Sequence, residues 1–222
     1  MNPLEPGPVH APHVPLTDYY QTEQDRQAYL RQIFDNTAPD YDRIESMLAW
    51  GTGSRYRKEA LIRGGLKKGM RVLDVGVGTG LVAAQACILA GDASLVTGID
   101  PSPGMMAASK LPPAMQLIEG RAESLPFPDN HFDFLSMGYA LRHISDLSVA
   151  FAEFERVLKP GGRLLLIVWV PGWTMFAVAN VLAFSLAPQR AWRRMAASAG
   201  LEICDEGIFN GSSFFLMKKP EA

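Results

Sequence analysis

Cysteine is nearly absent: Cys87 and Cys204 are the only two in 222 residues. Two thiols, one in a helix-like and one in a strand-like segment, make neither a disulfide framework nor a metal cluster, so no metal is expected and both are read as buried thiols of a reducing cytoplasm. Net charge is nearly absent too, at −2 from 21 basic and 23 acidic residues, with an isoelectric point near 6.1. The overall basic field that retains nucleic acid is missing, and no nucleic-acid partner is expected. Met1 to Leu16 repeat proline without the basic, apolar, small order of a signal peptide, so residues 1–18 are read as a disordered leader. An unbroken apolar run is the last thing lacking. No residue from Leu164 to Gln189 is charged, but Pro171 and Gly172 divide the stretch, and neither half reaches the roughly 20 residues that span a bilayer. It reads as a buried strand, Leu164 to Val168, a loop, and an apolar helix from about Thr174 to Leu186. A helix apolar all round must bury itself in protein, ligand or lipid surface.

Against these absences stands one dense motif. Val72-Leu73-Asp74-Val75 is an apolar strand that ends in Gly76-Val77-Gly78-Thr79-Gly80, and a second apolar strand closes on Gly98-Ile99-Asp100. The glycines let main chain turn and approach a ligand, and Asp100 stands at the distance expected for a carboxylate that accepts hydrogen bonds from two vicinal ribose hydroxyls. A nucleoside cofactor is implied. Spacing then selects among cofactors. A pyrophosphate fingerprint wants glycine at position 81, where Leu81 stands, and a phosphate loop wants Gly-Lys-Ser/Thr, which is missing.

Length suits one domain that buries roughly 70% of its unfolded surface. An amphipathic helix is predicted over about Tyr20 to Asn36, broken by Thr37-Ala38-Pro39-Asp40-Tyr41-Asp42, with short helices over Ile44 to Leu48 and Tyr56 to Arg63. Strands are predicted near 71–75, 95–100, 115–119, 132–137, 163–169, 201–205 and 213–218, with helices near 80–89, 103–110 and 147–158. Before the sixth strand, Trp192, Met195, Ala196 and Ala199 share one helical face, and Gly200 ends the helix. Alternating strands and helices give a doubly wound α/β sheet. Asn210-Gly211 is a hairpin signal that makes the last strand antiparallel.

The GxGxG turn, the acid closing the second strand, Phe132-Asp133-Phe134-Leu135-Ser136-Met137 as a fourth strand and the Leu158-Lys159-Pro160-Gly161-Gly162 turn resemble, in this order, the Rossmann-like S-adenosylmethionine (SAM) methyltransferases. Within them, Ile33 to Ile44 with its Tyr41-Asp42 pair, and Gly138-Tyr139-Ala140-Leu141-Arg142-His143-Ile144-Ser145-Asp146, resemble the ubiquinone/menaquinone-biosynthesis C-methyltransferases. This chain departs from that pattern at His143, where the family has Asn, at Arg121, where Asp or Asn is frequent, and in a shorter segment after the fifth strand. The resemblance implies SAM as cofactor, S-adenosylhomocysteine as product, a seven-stranded sheet in the order 3-2-1-4-5-7-6, and an N-terminal helical lid over 19–65 on a core over 66–222, one domain over 19–222.

It also implies roles for residues. Gly76, Gly78, Thr79 and Gly80 would bring main chain against the methionine part of SAM, and Asp74 would meet its amino group directly or through water, helix capping being the competing role. Asp100, with Pro101 beside it, would hold the ribose, a helix cap again being the alternative. Met105, Ala122, Glu123 and Met137 would border the adenine and the fourth-strand side, with core packing as the competing role of Met105. His143 is the candidate base, Arg142 the candidate partner of a phenolate or enolate, and Tyr41 the candidate cover, with packing and structural ion pairing as the bland alternatives. The acceptor expected is a small lipophilic or aromatic molecule such as a quinone precursor. A lipid N-methyltransferase and a catalytically silent SAM-binding subunit are the rival readings. Cytoplasmic location, contact with the inner membrane face through a lipophilic substrate, and a homodimer complete the expectations.

Overall fold

The computed structural model describes residues 19–48, 52–169, 189–209 and 212–221. The expected leader, the apolar helix over 174–186 and the Asn210-Gly211 turn lie outside them. In chain order the elements are α1 (Glu23–Leu48), α2 (Gly53–Arg63), β1 (Val72–Val75), α3 (Leu81–Ala90), β2 (Val96–Asp100), α4 (Pro103–Ala107), β3 (Gln116–Glu119), β4 (Phe132–Gly138), α5 (Leu147–Val157), β5 (Leu158–Trp169), α6 (Gln189–Ser198), β6 (Glu202–Phe209) and β7 (Ser212–Lys218).

The strands form one sheet in the order β3-β2-β1-β4-β5-β7-β6. The first five are parallel to one another, and β7 runs antiparallel to both β5 and β6. Fold class and strand order therefore agree with the sequence reading. Because β1 and β4 are covered on both faces, Val72, Leu73, Val75, Phe134 and Leu135 are all buried, which is why these strands read as apolar runs instead of alternating patterns. On one face Leu73, Leu135, Leu164 and Leu166 pack on Phe151, Phe154 and Val157 of α5 and Ala196 of α6. On the other, Val72, Val96, Phe134 and Leu165 pack on Leu61 of α2 and Ala83, Ala86 and Cys87 of α3.

Three expectations are corrected. The predicted break at 37–42 does not occur: α1 runs without interruption from Glu23 to Leu48 with Pro39 inside it. An interior proline costs a helix about 3 kcal/mol or more through its lost N–H and its clash with the preceding turn, but here bonds on both sides of Pro39 hold the helix. The Thr37 hydroxyl donates to Ile33 O at 2.8 Å, Asp35 accepts from Ser102 Oγ at 2.6 Å and Gly104 N–H at 2.9 Å, and Asp42 accepts from Thr79 Oγ1 at 2.5 Å. The Lys159-to-Gly162 turn is absorbed into β5, with Gly161 at φ +76° and a register shift against β4 between Phe132 and Phe134. Finally, Cys87 is buried but Cys204 is exposed, because β6 is the edge of the sheet and its residues Ile203 and Cys204 face outward.

Candidate active site

The parallel strands carry their C-terminal ends to one edge, where the order reverses between β1 and β4, the place where a doubly wound sheet opens a crevice. There the glycine turn leaves β1. Gly76 has φ +68°, a conformation L side chains avoid, and a Cβ on it would lie 2.5 Å from that of Ala140. The N–H groups of Gly76 and Val77 both donate to Ile99 O, at 2.8 and 3.1 Å. Main-chain bonds thus weld the start of the turn to β2.

Asp100 ends β2, buried, with one oxygen accepting from Gly78 N–H and the other from Ser102 N–H, each at 2.8 Å. Burial pushes its carboxyl up, Asp35 adds to the rise, and the two N–H bonds oppose it. Each oxygen keeps a free lone pair, so the carboxylate is oriented without being used up. The capping role considered for Asp100 belongs to Ser102, whose hydroxyl accepts from Met105 N–H. Met105 is buried, its Cε within 3.3 Å of where a Gly78 Cβ would be. Pro101 is exposed.

Asp74 is buried opposite Ser136, its partner in the β1–β4 register. The Ser136 hydroxyl donates to Oδ1 at 2.6 Å, while Oδ2 has no hydrogen-bond partner among the described residues. Burial pushes this carboxyl up to about 7 against the opposing Ser136 bond; the Ala83 N–H, in the first turn of α3, also opposes the rise although its geometry does not close to a hydrogen bond. An orphaned carboxylate oxygen beside a glycine cradle fits the cationic amino group of SAM, and Asp100 fits its ribose. The cofactor implied by the sequence therefore fits the residues present.

Around this half lies α1. Besides the Asp35 and Asp42 bonds, Arg31 pairs with Glu119 at 2.9 Å, and Arg26 donates to Ser145 Oγ at 2.8 Å and His143 O at 3.0 Å. Glu23, Arg121, Glu123 and Ser145 complete that knot: Glu123 accepts from Ser145 N–H at 2.6 Å and from Arg121 at 3.1 Å, and Ser145 Oγ donates to Glu23. Glu123 is therefore bound to the β4 loop, and Arg121 serves this knot where the family has Asp or Asn. Ala122 is buried beside it in the core, and Met137 belongs to the same buried cluster as Leu135, Leu141 and Leu166.

The chain leaves β4 through Tyr139, at φ +60°, whose N–H donates to Ile167 O at 2.7 Å. A short turn, Leu141–His143, follows. His143 meets Phe34 of α1 edge-on, ring centres 4.9 Å apart, and its Nε2 accepts from Nε of the exposed Arg142 at 2.9 Å. Tyr41 is half-buried; desolvation pushes its hydroxyl up, and Arg142 and Arg57 oppose it. His143 and Arg142 thus lie side by side, and Arg142 is near enough to Tyr41 to act on its charge. Sequence reasoning missed Asp35, Asp42, Ser136 and Arg57. Asp42 alone carried a signal, as the neighbour of Tyr41 in the Tyr-Asp pair.

Comparison with known proteins agrees with this geometry. The methyltransferase-domain family model matches residues 73–166, and the protein-L-isoaspartate(D-aspartate) O-methyltransferase model matches 22–114. The chain is 35% identical over 158 residues to the demethylmenaquinone methyltransferase of Listeria welshimeri, 67% of each chain being covered. It is 32% identical over 161 residues to the ubiquinone/menaquinone biosynthesis C-methyltransferase of Francisella philomiragia, covering 68% of this chain but 64% of that protein, so it spans less than two thirds of that relative's length. The fold is shared with phosphoethanolamine N-methyltransferase 2 of Haemonchus contortus, solved with phosphomonomethylethanolamine and S-adenosylhomocysteine, at a TM-score of 0.61 and 21% identity over 75% of this chain and 53% of that one. Among the described residues no helix is long and apolar enough to cross a membrane, and no group of ligating side chains could hold a metal ion.

Proposed function

Since the chain belongs to the SAM-dependent methyltransferase superfamily, we propose that it transfers the methyl group of SAM to a small lipophilic or aromatic acceptor of the quinone-precursor type. The observation that carries this is Asp100 at the end of β2, buried and held by two main-chain N–H groups, one to each oxygen, so that each oxygen keeps lone-pair capacity for a ligand. The likeness to quinone-biosynthesis methyltransferases over about two thirds of the chain supports the acceptor class. Bound SAM supplies a methyl group already activated on a sulfonium, so alignment and exclusion of water remain for the protein. In this reading Asp100 accepts the ribose hydroxyls, the 76–80 turn bears the methionine part, and residues 19–65 form a lid on the 66–222 core.

On the acceptor side, Nε2 of His143 is the atom that would take a proton from an acceptor hydroxyl. The acceptor hydroxyl then replaces Arg142 at that nitrogen, and the freed guanidinium meets the oxygen that becomes anionic. Tyr41 covers the pair from α1. The test is turnover of SAM to S-adenosylhomocysteine with a panel of reduced quinone precursors and simple phenols. Methylation of at least one reduced quinone precursor is expected; a protein that binds SAM yet methylates none of them, while accepting a lipid amine, overturns the acceptor class.

A further inference from the structure

Helix α1 is bonded to the ends of four strands at once. Asp42 accepts from Thr79 in the turn after β1, Asp35 from Ser102 and Gly104 after β2, and Arg31 pairs with Glu119 at the end of β3. The fourth attachment is Arg26, whose side chain is 9% exposed. Its Nη2 donates to His143 O at 3.0 Å and Ile144 O at 3.5 Å, and its Nη1 to Ser145 Oγ at 2.8 Å and Glu23 Oε1 at 3.3 Å. One guanidinium thus holds three consecutive residues of the loop after β4.

Those bonds answer a need of the loop itself. Leu141–His143 is a single tight turn that closes its own N–H groups, His143 onto Ala140 O and Ile144 onto Leu141 O. As at the end of any helical turn, its last carbonyls find no partner within it, and Arg26 takes two of them. A lysine has one nitrogen for such a task, whereas the planar guanidinium fork spans both oxygens. The same helix also reaches the His143 ring, through Phe34 with centres 4.9 Å apart. Helix α1 therefore grips His143 by main chain and by ring, while Asp35 and Asp42 tie the helix itself to the loops of the cofactor half. We propose that Arg26 is a positioning residue for methyl transfer: it fixes the His143 turn against a helix anchored to the cofactor half, and so sets where Nε2 stands relative to the methyl group. This rests on the reading of His143 as the base. Placement of this kind matters because a shift of about 1 Å can cost about 10²-fold in rate. Direct contact of Arg26 with the acceptor is the weaker reading, since its two terminal nitrogens already donate to four protein groups.

Two measurements on the full chain test this, one of placement and one of rate. Histidine occurs four times in the chain, so isotopic labelling of histidine gives a small set of imidazole resonances, and His143→Gln identifies the one that matters. In Arg26→Met that resonance is expected to move or broaden, and in Arg26→Lys to move less, with no acceptor present. With a reduced naphthoquinone as acceptor, Arg26→Met is expected to slow single-turnover methyl transfer about tenfold or more. Its affinity for S-adenosylhomocysteine should stay within about twofold, because Asp35 and Asp42 still hold α1 to the cofactor loops. On a His143→Ala background the same change should cost less than about twofold in rate, since no base is left to misplace. Should Arg26→Met fail to fold, Arg26→Met with Glu23→Gln, which removes both charges of that pair, carries the same expectations. An unmoved His143 resonance overturns the proposal, as does full additivity of the two losses in rate, the result a merely structural arginine gives. A His143→Ala variant as fast as the parent refutes the base reading itself, whereas a slow His143→Ala beside an Arg26→Met with the parent's rate refutes the role of Arg26 alone.

Discussion

On the β1–β2 side of the crevice the important groups are fixed by main chain: Gly76 and Val77 bond to Ile99 O, and Asp100 takes its bonds from two backbone N–H groups. On the β4 side they are fixed by side chains, His143 between Phe34 and Arg142, Ser145 inside a knot of Glu23, Arg26, Arg121 and Glu123. Main-chain bonds survive almost any substitution that keeps the backbone, whereas side-chain bonds change with each residue. One fold can therefore keep one cofactor and exchange acceptors, and the proposed function assigns acceptor specificity to the β4 side and affinity for SAM to the β1–β2 side.

The most damaging way to break this contrast is to disturb the main-chain half. Gly76→Ala should cost about 1–3 kcal/mol of stability through the left-handed backbone alone, with further loss from the contact on Ala140, and should abolish binding of S-adenosylhomocysteine; urea unfolding and calorimetry read the two effects. The opposite half should show the opposite signature. His143→Ala is expected to slow single-turnover methyl transfer about 10²-fold or more with SAM affinity unchanged and the acidic limb of the pH–rate profile gone; an unchanged rate at pH 6 and pH 8 would remove the base from the account. Asp100→Ala should weaken SAM by about 1.5–3 kcal/mol, as expected for loss of a charged hydrogen-bond partner, and equal affinity in the variant would falsify the ribose assignment.

Smaller effects sharpen the boundary between the halves. Asp42→Ala releases α1 from Thr79 and should weaken S-adenosylhomocysteine by about 1 kcal/mol, the net value of one hydrogen bond, without altering the protein's fold by circular dichroism. The last signal is electrostatic and is read as a slope with pH. Asp74 has a folded pKa near 7, above its ordinary 3.8, so between these values the native state holds the proton and the unfolded state has lost it. Stability from this group is fully present below about pH 4, declines as pH rises toward 7, and is level above that. Asp74→Asn should flatten that slope in urea titrations run from pH 4 to pH 8; a slope identical to the parent's would show that Asp74 titrates normally.

Most of the sheet was legible because burial on both faces writes itself as unbroken apolar strands, and because Gly76 to Gly80 and Asp100 are required by backbone geometry and not by partners. The hidden part depended on contacts between distant segments. Pro39 argues locally for a break, and only the anchoring of Asp35 and Asp42 explains why α1 continues. Ser136 becomes a partner of Asp74 only once β1 and β4 are in register. Arg57 sits in a short helix with nothing periodic to mark it; its meaning comes from Gly53, Glu45 and Tyr139 around it.

The placement of β7 has a consequence for how the molecule is made. It lies between β5 and β6 although it follows both in the chain, so during synthesis β5 must wait, its outer edge open, until residues some fifty positions downstream emerge. Leu164 to Val168 on that strand are buried in the finished sheet, and an open, apolar strand edge is a template for pairing with other chains. Long-range closure of this kind is slow relative to local helix formation. A chain stopped before Ser212 should consequently associate through β5 on a gel-filtration column, while the full chain, once β7 has docked, should not show that association.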